Sequence, residues 1–145
     1  MVQVKEIKDS NKISEILEIW EKVFGISRTE YNYDNSNNYI ILFEGLKEDT
    51  PIGAALIKPS GEDCYIENLA IIEEKRNQQN GEFLLRFAVD KGFQSEFLKV
   101  YAVTKENQGR LFEKVGFIKT YDDKIQQNMI KYEINPENFY RKCNH

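Results

Sequence analysis

Residues Glu67–Leu85 read ENLAIIEEKRNQQNGEFLL. The stretch opens as the end of an apolar strand, Cys64–Ile72, crosses a polar connection, and enters Gly81–Gly92, where Leu84, Leu85, Phe87, Ala88 and Lys91 recur at helical spacing. Leu98–Val103 is strand-like again. Strand, helix and strand in succession make a βαβ unit, whose crossover forces the two strands to lie parallel. A loop that runs directly into a helix N-terminus presents unpaired backbone N–H groups and the positive end of a macrodipole, which suits a phosphate. The donors here are Gln78, Gln79, Asn80, Gly81, Glu82 and Phe83, and Lys75 and Arg76 add local positive charge. The alternative is an ordinary polar turn ahead of a helix.

Upstream, the chain reads as antiparallel. Val2–Ile7 alternates like a half-buried strand. After the helix-capping residues Asp9-Ser10-Asn11, apolar side chains at Ile13, Ile16, Leu17, Trp20, Val23 and Phe24 define one helix face, closed by Gly25. Ile26–Asn38 is polar and asparagine-rich and fits either a short second helix or a loop. Tyr39–Glu44, Ile52–Lys58 and Cys64–Ile72 are three consecutive strands, with a hairpin connection at Lys47–Pro51 and a second turn at Pro59-Ser60-Gly61. Downstream, Asn107–Lys114 predicts a short helix closed by Gly116, followed by strands near Phe117–Tyr121 and Met129–Ile134. Asn135–His145 packs as a short helix or stays loose. The pattern is α+β, a single domain over residues 1–145 with a mixed sheet, antiparallel in its N-terminal half and parallel at one junction, flanked by helices.

Composition adds exclusions. The 145 residues, 41% of them hydrophobic, are enough for one core, and a net charge of −4 leaves no global basic field for gripping nucleic acid. The one histidine is His145, at the chain end, so histidine triads and histidine zinc sites have no member. Cys64 and Cys143 form no CxxC pair and read as reduced structural thiols. No apolar run approaches the roughly 20 residues of a membrane span. The opening MVQVKEIKDS lacks the apolar centre of a secretion signal, so the expected compartment is the cytoplasm.

The Glu67–Leu85 stretch resembles the acetyl-coenzyme A binding motif of the GNAT superfamily of acyltransferases, a strand ending in LAV, a short connection, and (Q/R)xxGx(G/A) opening a helix. Leu69-Ala70-Ile71 stands for the strand end, Arg76 for the first motif residue and Gly81 for the last. LFEKVGF at Leu111–Phe117 is similar to the family's (L/F)YxKxGF segment. The resemblance implies that the parallel strands splay apart, and that the backbone of Leu69, Ala70 and Ile71 pairs with the pantetheine arm while the loop holds the pyrophosphate. It implies acetyl-coenzyme A as cosubstrate, an amine acceptor and no metal; charge and hydropathy argue against nucleic-acid and membrane partners, and a monomer or homodimer is expected. Two positions depart from the pattern: Gln79 replaces the middle glycine, with Asn80 the residue better suited to left-handed geometry nearby, and Phe112 replaces the tyrosine that protonates the departing thiolate. The family's asparagine falls at Lys105. Asn107 is close but out of register, and fits a cofactor contact or a helix N-cap.

Acetyl transfer to an amine needs the free base, yet a lysine-like amine is only about one part in 10³ neutral at pH 7. A positioned carboxylate supplies that form, and Glu67 is the candidate. Strand periodicity groups it with Tyr65, Leu69 and Ile71 on one face. The alternative is a structural carboxylate paired with a surface lysine. The expected activity is N-acetylation of a small-molecule or peptide amine by direct attack on the thioester. The competing reading is a non-catalytic coenzyme A-binding or protein-interaction member of the same fold. Tyr101 and Tyr121 are the tyrosines that could stand in for Phe112, and both also suit packing roles.

Overall fold

The computed structural model describes residues 2–45 and 50–143, with side chains through Arg141. Most of the expected Lys47–Pro51 connection, as well as the Cys143 side chain and His145, lie outside that description. The elements run β1 (Val2–Ile7), α1 (Ser14–Phe24), β2 (Asn38–Glu44), β3 (Thr50–Ser60), β4 (Asp63–Ile71), α2 (Asn80–Gln94), β5 (Val100–Lys105), α3 (Arg110–Val115), β6 (Ile118–Thr120), β7 (Met129–Ile134) and α4 (Pro136–Cys143). They form a seven-stranded mixed sheet in the order β1-β2-β3-β4-β5-β7-β6, antiparallel everywhere except at β4–β5. This is the expected α+β architecture of one domain. None of the described helices is long and apolar enough to cross a membrane.

Helices cover both faces because the strands bury both faces. β2 reads buried from Tyr39 to Phe43: Ile40 and Leu42 join the core beneath α2, α3 and α4, while Tyr39, Ile41 and Phe43 join the core beneath α1. α1 buries Ile16, Ile19 and Trp20, and Phe24, expected on that stripe, is 46% exposed because it falls at the helix end. Asp9 caps a 3-10 turn at Ser10–Lys12, one turn ahead of α1 itself.

Packing corrects one expectation and decides one that the sequence left open. Asn107–Lys114 is not one helix. A 3-10 turn at Glu106–Gln108 precedes α3, and Gly109 begins the helix with no side-chain cap, leaving Asn107 exposed in the turn rather than capping anything. Gly109 is required at the helix start, because the Tyr132 hydroxyl of β7 occupies the space where a Cβ at 109 would stand. Ile26–Asn38 holds no α-helix. It has a 3-10 turn at Arg28–Glu30, and Tyr31 and Tyr33 then pack beside Trp20 and Tyr39. The Tyr31 and Tyr39 hydroxyls are hydrogen-bonded at 2.5 Å, and Tyr39 also meets the backbone of Asp34. Burial, then the Tyr39 hydroxyl, raises the Tyr31 pKa above its ordinary value.

β4 and β5 are joined by two register pairs, Cys64–Val100 and Tyr65–Tyr101, and separate beyond them. α2 presses on that junction through Gly92, where a Cβ would lie 3.1 Å from Cys64 and 3.2 Å from Val100. Burial pushes the Cys64 thiol up to about 12, so it is a packing group and not a thiolate. On the other side of the junction β4 bulges. Leu56 faces Glu67 and Ala54 faces Ala70, which leaves Asn68 and Leu69 opposite Ala55. Asn68 sits at φ 54°, and the fully buried Trp20 donates its indole N–H to the Asn68 carbonyl at 2.7 Å.

Replacing Trp20→Phe removes that donor and leaves a partly filled space. It should lower the unfolding free energy by about 2–3 kcal/mol, read as a fall in urea midpoint at constant m. A loss within about 0.5 kcal/mol would mean the bulge holds itself.

Candidate functional site

The bulge decides which side chains face which way. Cys64 and Ile66 point into the core under α2, yet so do Leu69 and Ile71, because the extra residue inverts the alternation. Glu67 therefore shares the α1 side with Tyr65 and Ala70, and not, as periodicity predicted, with Leu69 and Ile71. Glu67 is exposed and has no ion-pair or hydrogen-bond partner among the described residues, so the expected alternative, pairing with a surface lysine, is absent there. Beyond Tyr65 the β5-facing edge of β4 has no register partner; the Asn68 and Ile71 carbonyls accept from Trp20 and Arg76, and the other groups on that edge are what a chain-like ligand carrying amides could pair with.

At the end of β4 the chain makes a 3-10 turn at Glu73–Lys75 and enters the loop of interest. Asn77 (φ 63°) and Gln79 (φ 68°) carry the left-handed geometry. Asn80, expected to take it, is instead the first residue of α2; its side-chain amide donates to the Lys75 carbonyl at 2.9 Å and the residue is buried. The N–H groups of Asn77, Gln78, Gln79, Asn80, Gly81 and Glu82 have no backbone acceptor within the described residues, whereas Phe83, expected among the donors, is already bonded to the Gln79 carbonyl at 3.0 Å. A Cβ at Gly81 would meet Leu111 at 3.4 Å and Ile71 at 3.9 Å, ordinary contacts, so internal packing does not require the glycine. A donor-lined concavity with a bare Cα at its edge fits a diphosphate.

The local cations are fewer than expected. Lys75 is paired with Glu44 at 2.6 Å, and Lys114 and Arg86 each lie 3.0 Å from Glu82. Those hydrogen bonds, Lys114 first and then Arg86, hold the Glu82 carboxyl below its usual range. Arg76 donates Nε–H to the Ile71 carbonyl at 2.9 Å and is otherwise exposed, which ties the loop to the strand end and leaves the outer guanidinium nitrogens for a ligand.

Phe112 is a core residue. It is 7% exposed, edge-on to Phe117 and stacked on Tyr132 at 5.8 Å between centroids. Tyr132 is the hydroxyl nearest to this position and was not singled out from the sequence; its O–H donates to the Glu113 carboxylate at 3.3 Å, and burial raises its pKa. Alternation in Met129–Ile134 is the signal that would have turned it inward. Tyr121 is 90% exposed and takes no part in the site. Tyr101 lies on the α1 side, 5.3 Å from Tyr65, with Lys131 Nζ 4.3 Å above its ring.

An opened parallel strand pair beside a donor-lined helix N-terminus can take an anion together with an extended, amide-bearing chain. The profile of the acetyltransferase (GNAT) family matches residues 9–117. The chain belongs to that family. No curated protein matches it by sequence. Solved structures share the fold: the ribosomal-protein-S18-alanine N-acetyltransferase of Escherichia coli (TM-score 0.77, 12% identity, 93% of this chain and 94% of that one), an acetyltransferase from Bacillus subtilis in complex with CoA (0.74, 17%, 93% and 99%), and a GNAT family acetyltransferase from Elizabethkingia anophelis with acetyl-CoA bound (0.71, 17%, 92% and 97%).

A left-handed non-glycine residue costs roughly 1–2 kcal/mol. Gln79→Gly should raise the unfolding free energy by about 0.5–1 kcal/mol after the added freedom of the unfolded chain is subtracted, and should enlarge the thermal shift produced by acetyl-coenzyme A. A loss of stability would show that the Gln79 side chain makes contacts that outweigh the backbone strain.

Proposed function

We propose that the protein is a cytoplasmic N-acetyltransferase that transfers an acetyl group from acetyl-coenzyme A to a primary amine of a small molecule or peptide. The observation that carries this reading is the separation of β4 from β5 beyond Tyr65–Tyr101, which frees the β4 backbone directly ahead of the Arg76–Glu82 loop. The arm would pair with the backbone of Leu69, Ala70 and Ile71, and the pyrophosphate would take the N–H groups of Gln78, Gln79, Asn80, Gly81 and Glu82 with Arg76. Asn107, exposed one turn ahead of α3, remains a contact only for the outer part of the cofactor.

Glu67 accepts the proton that frees the amine, directly or through a water. Obtaining the neutral amine from solvent costs on the order of 4–5 kcal/mol at pH 7. The amine nitrogen then attacks the thioester carbonyl, an amide bond forms and the C–S bond breaks. Phe112 has no proton to give, so the sulfur leaves as thiolate and is protonated by solvent. A thiol with pKa near 8.5 tolerates this, at a rate reduced by up to the roughly 10²–10⁴ that general-acid help is worth.

The buried Phe112 and the Gln79 backbone also favour a second reading, a coenzyme A-binding member without turnover. Acetyl-coenzyme A at about 100 times its dissociation constant should stabilise the protein by roughly 2.7 kcal/mol, and a thiol-release assay over an amine panel separates the readings. Stabilisation with thiol release supports the enzyme; stabilisation without it supports the binder; no stabilisation removes both.

Glu67→Gln should lower the acetylation rate by roughly 10²-fold near pH 7, with the deficit shrinking as pH approaches the amine's own pKa of about 10.4, where free base no longer has to be made. A pH–rate profile parallel to that of the unaltered protein would remove Glu67 from the role of base.

A further inference from the structure

α1 packs on β3 and β4, and the α1-side faces of β5, β7 and β6 carry no helix of their own. On this face Tyr65 and Tyr101 lie side by side in register, and Lys58 stands directly across from Tyr65 on β3. Lys131, from β7, reaches back over the Tyr101 ring, with Nζ 4.3 Å from that centroid and 5.5 Å from the Tyr65 centroid. Its side chain is only 13% exposed and is ion-paired to Asp122 at 3.1 Å. Burial works against its charge, but the Tyr65 hydroxyl and Asp122 outweigh it and hold the ammonium charged. Of its three donors, Asp122 takes one.

The other charges facing this patch are largely committed. Glu133 pairs with Lys99, which also feels Asp63. Asp34 is held by Ser36 and also feels the Lys58 ammonium. Lys58 has no ion pair within 4 Å among the described residues, and Glu67 stands two residues along β4 from Tyr65, about 7 Å away. A pocket of about 480 Å³ in the β6–β7 hairpin opens beside Lys131, lined also by Thr120, Asp122, Gln126 and Gln127. An ammonium entering here meets a ring face already covered by a cation. An anion finds a free N–H on Lys131 and an unpaired charge on Lys58, one on each side of Tyr65.

We propose that the acceptor carries a carboxylate, held between Lys58 and Lys131 over the Tyr65–Tyr101 pair, with its amine about 7 Å away toward Glu67. This rests on the acetyltransferase reading for the position of the reacting amine. Lysine with cadaverine and 6-aminohexanoate with pentylamine are matched pairs, each differing by one carboxylate. Titration calorimetry on the coenzyme A-loaded protein should show the carboxylate-bearing member binding at least tenfold more tightly. In Lys58→Met and Lys131→Met the ratio should collapse toward one while the stabilisation by acetyl-coenzyme A persists. Lys58 is exposed, so its variant keeps the test open should Lys131→Met fold poorly. Equal affinity, preference for the decarboxylated member, or no binding of either overturns the proposal. Thiol release with the same compounds reports separately on the acetyltransferase reading: preference without release defeats that reading alone, and release without preference defeats only this one.

Discussion

The hydrogen bond from the Trp20 indole to the Asn68 carbonyl is the contact on which the working part of the sheet depends. A bulge leaves a backbone group without its ladder partner, and in a buried strand that carbonyl must find a donor. Trp20 supplies one from α1, in the same core where Tyr39 and Ala70 pack. Because the extra residue is accommodated there, β4 turns its Leu69 and Ile71 side chains under α2 and leaves the line of β5. Glu67, on the near side of the bulge, stays on the α1 side. One indole N–H thus links helix position, strand separation and the orientation of the candidate base.

An acidic protein that is to bind a polyanion must keep its negative charges from the binding surface, and pairing beside the Arg76–Glu82 loop would serve that end. Glu44 is matched to Lys75, and Glu82 to Lys114 and Arg86, so two carboxylates beside the loop are neutralised at the expense of cations that would otherwise face a ligand, while Glu73 and Glu74 stay exposed ahead of it. What remains is a row of backbone N–H groups and the outer edge of Arg76. The attraction is short-ranged and geometric, and does not depend on net charge.

Elements with strong local patterns were legible in the sequence. Met129–Ile134 and Val2–Ile7 have the bounds alternation gave them, and the βαβ order that made β4 and β5 parallel was sound. The place where the strand gives way to a polar loop and a helix was legible too, although a loop of that kind is equally an ordinary turn. What escaped was set by contacts between distant residues. IENLAI alternates acceptably as a regular strand, and only the Trp20 donor reveals Asn68 as a bulge. Asn80 is the better left-handed former by propensity, but its amide is needed by the Lys75 carbonyl, so Gln79 takes that geometry. Asn107 looks like a cap, but the helix starts at Gly109, where the Tyr132 hydroxyl leaves no room for a Cβ. Lys58 and Lys131 are 73 positions apart, and three strands of register bring them to the same tyrosine.

Gly92 has a mechanical consequence. The strands divide into two leaves, β1 to β4 and β5 to β7, stitched at Cys64–Val100 and Tyr65–Tyr101. With no side chain of its own, Gly92 lets α2 bear on both residues of the first stitch at once, as a thumb holds the spine of a half-open book. The leaves are pinned at the spine, so any change in the gap is a rotation about that point, largest at the far end of β4, where the loop begins.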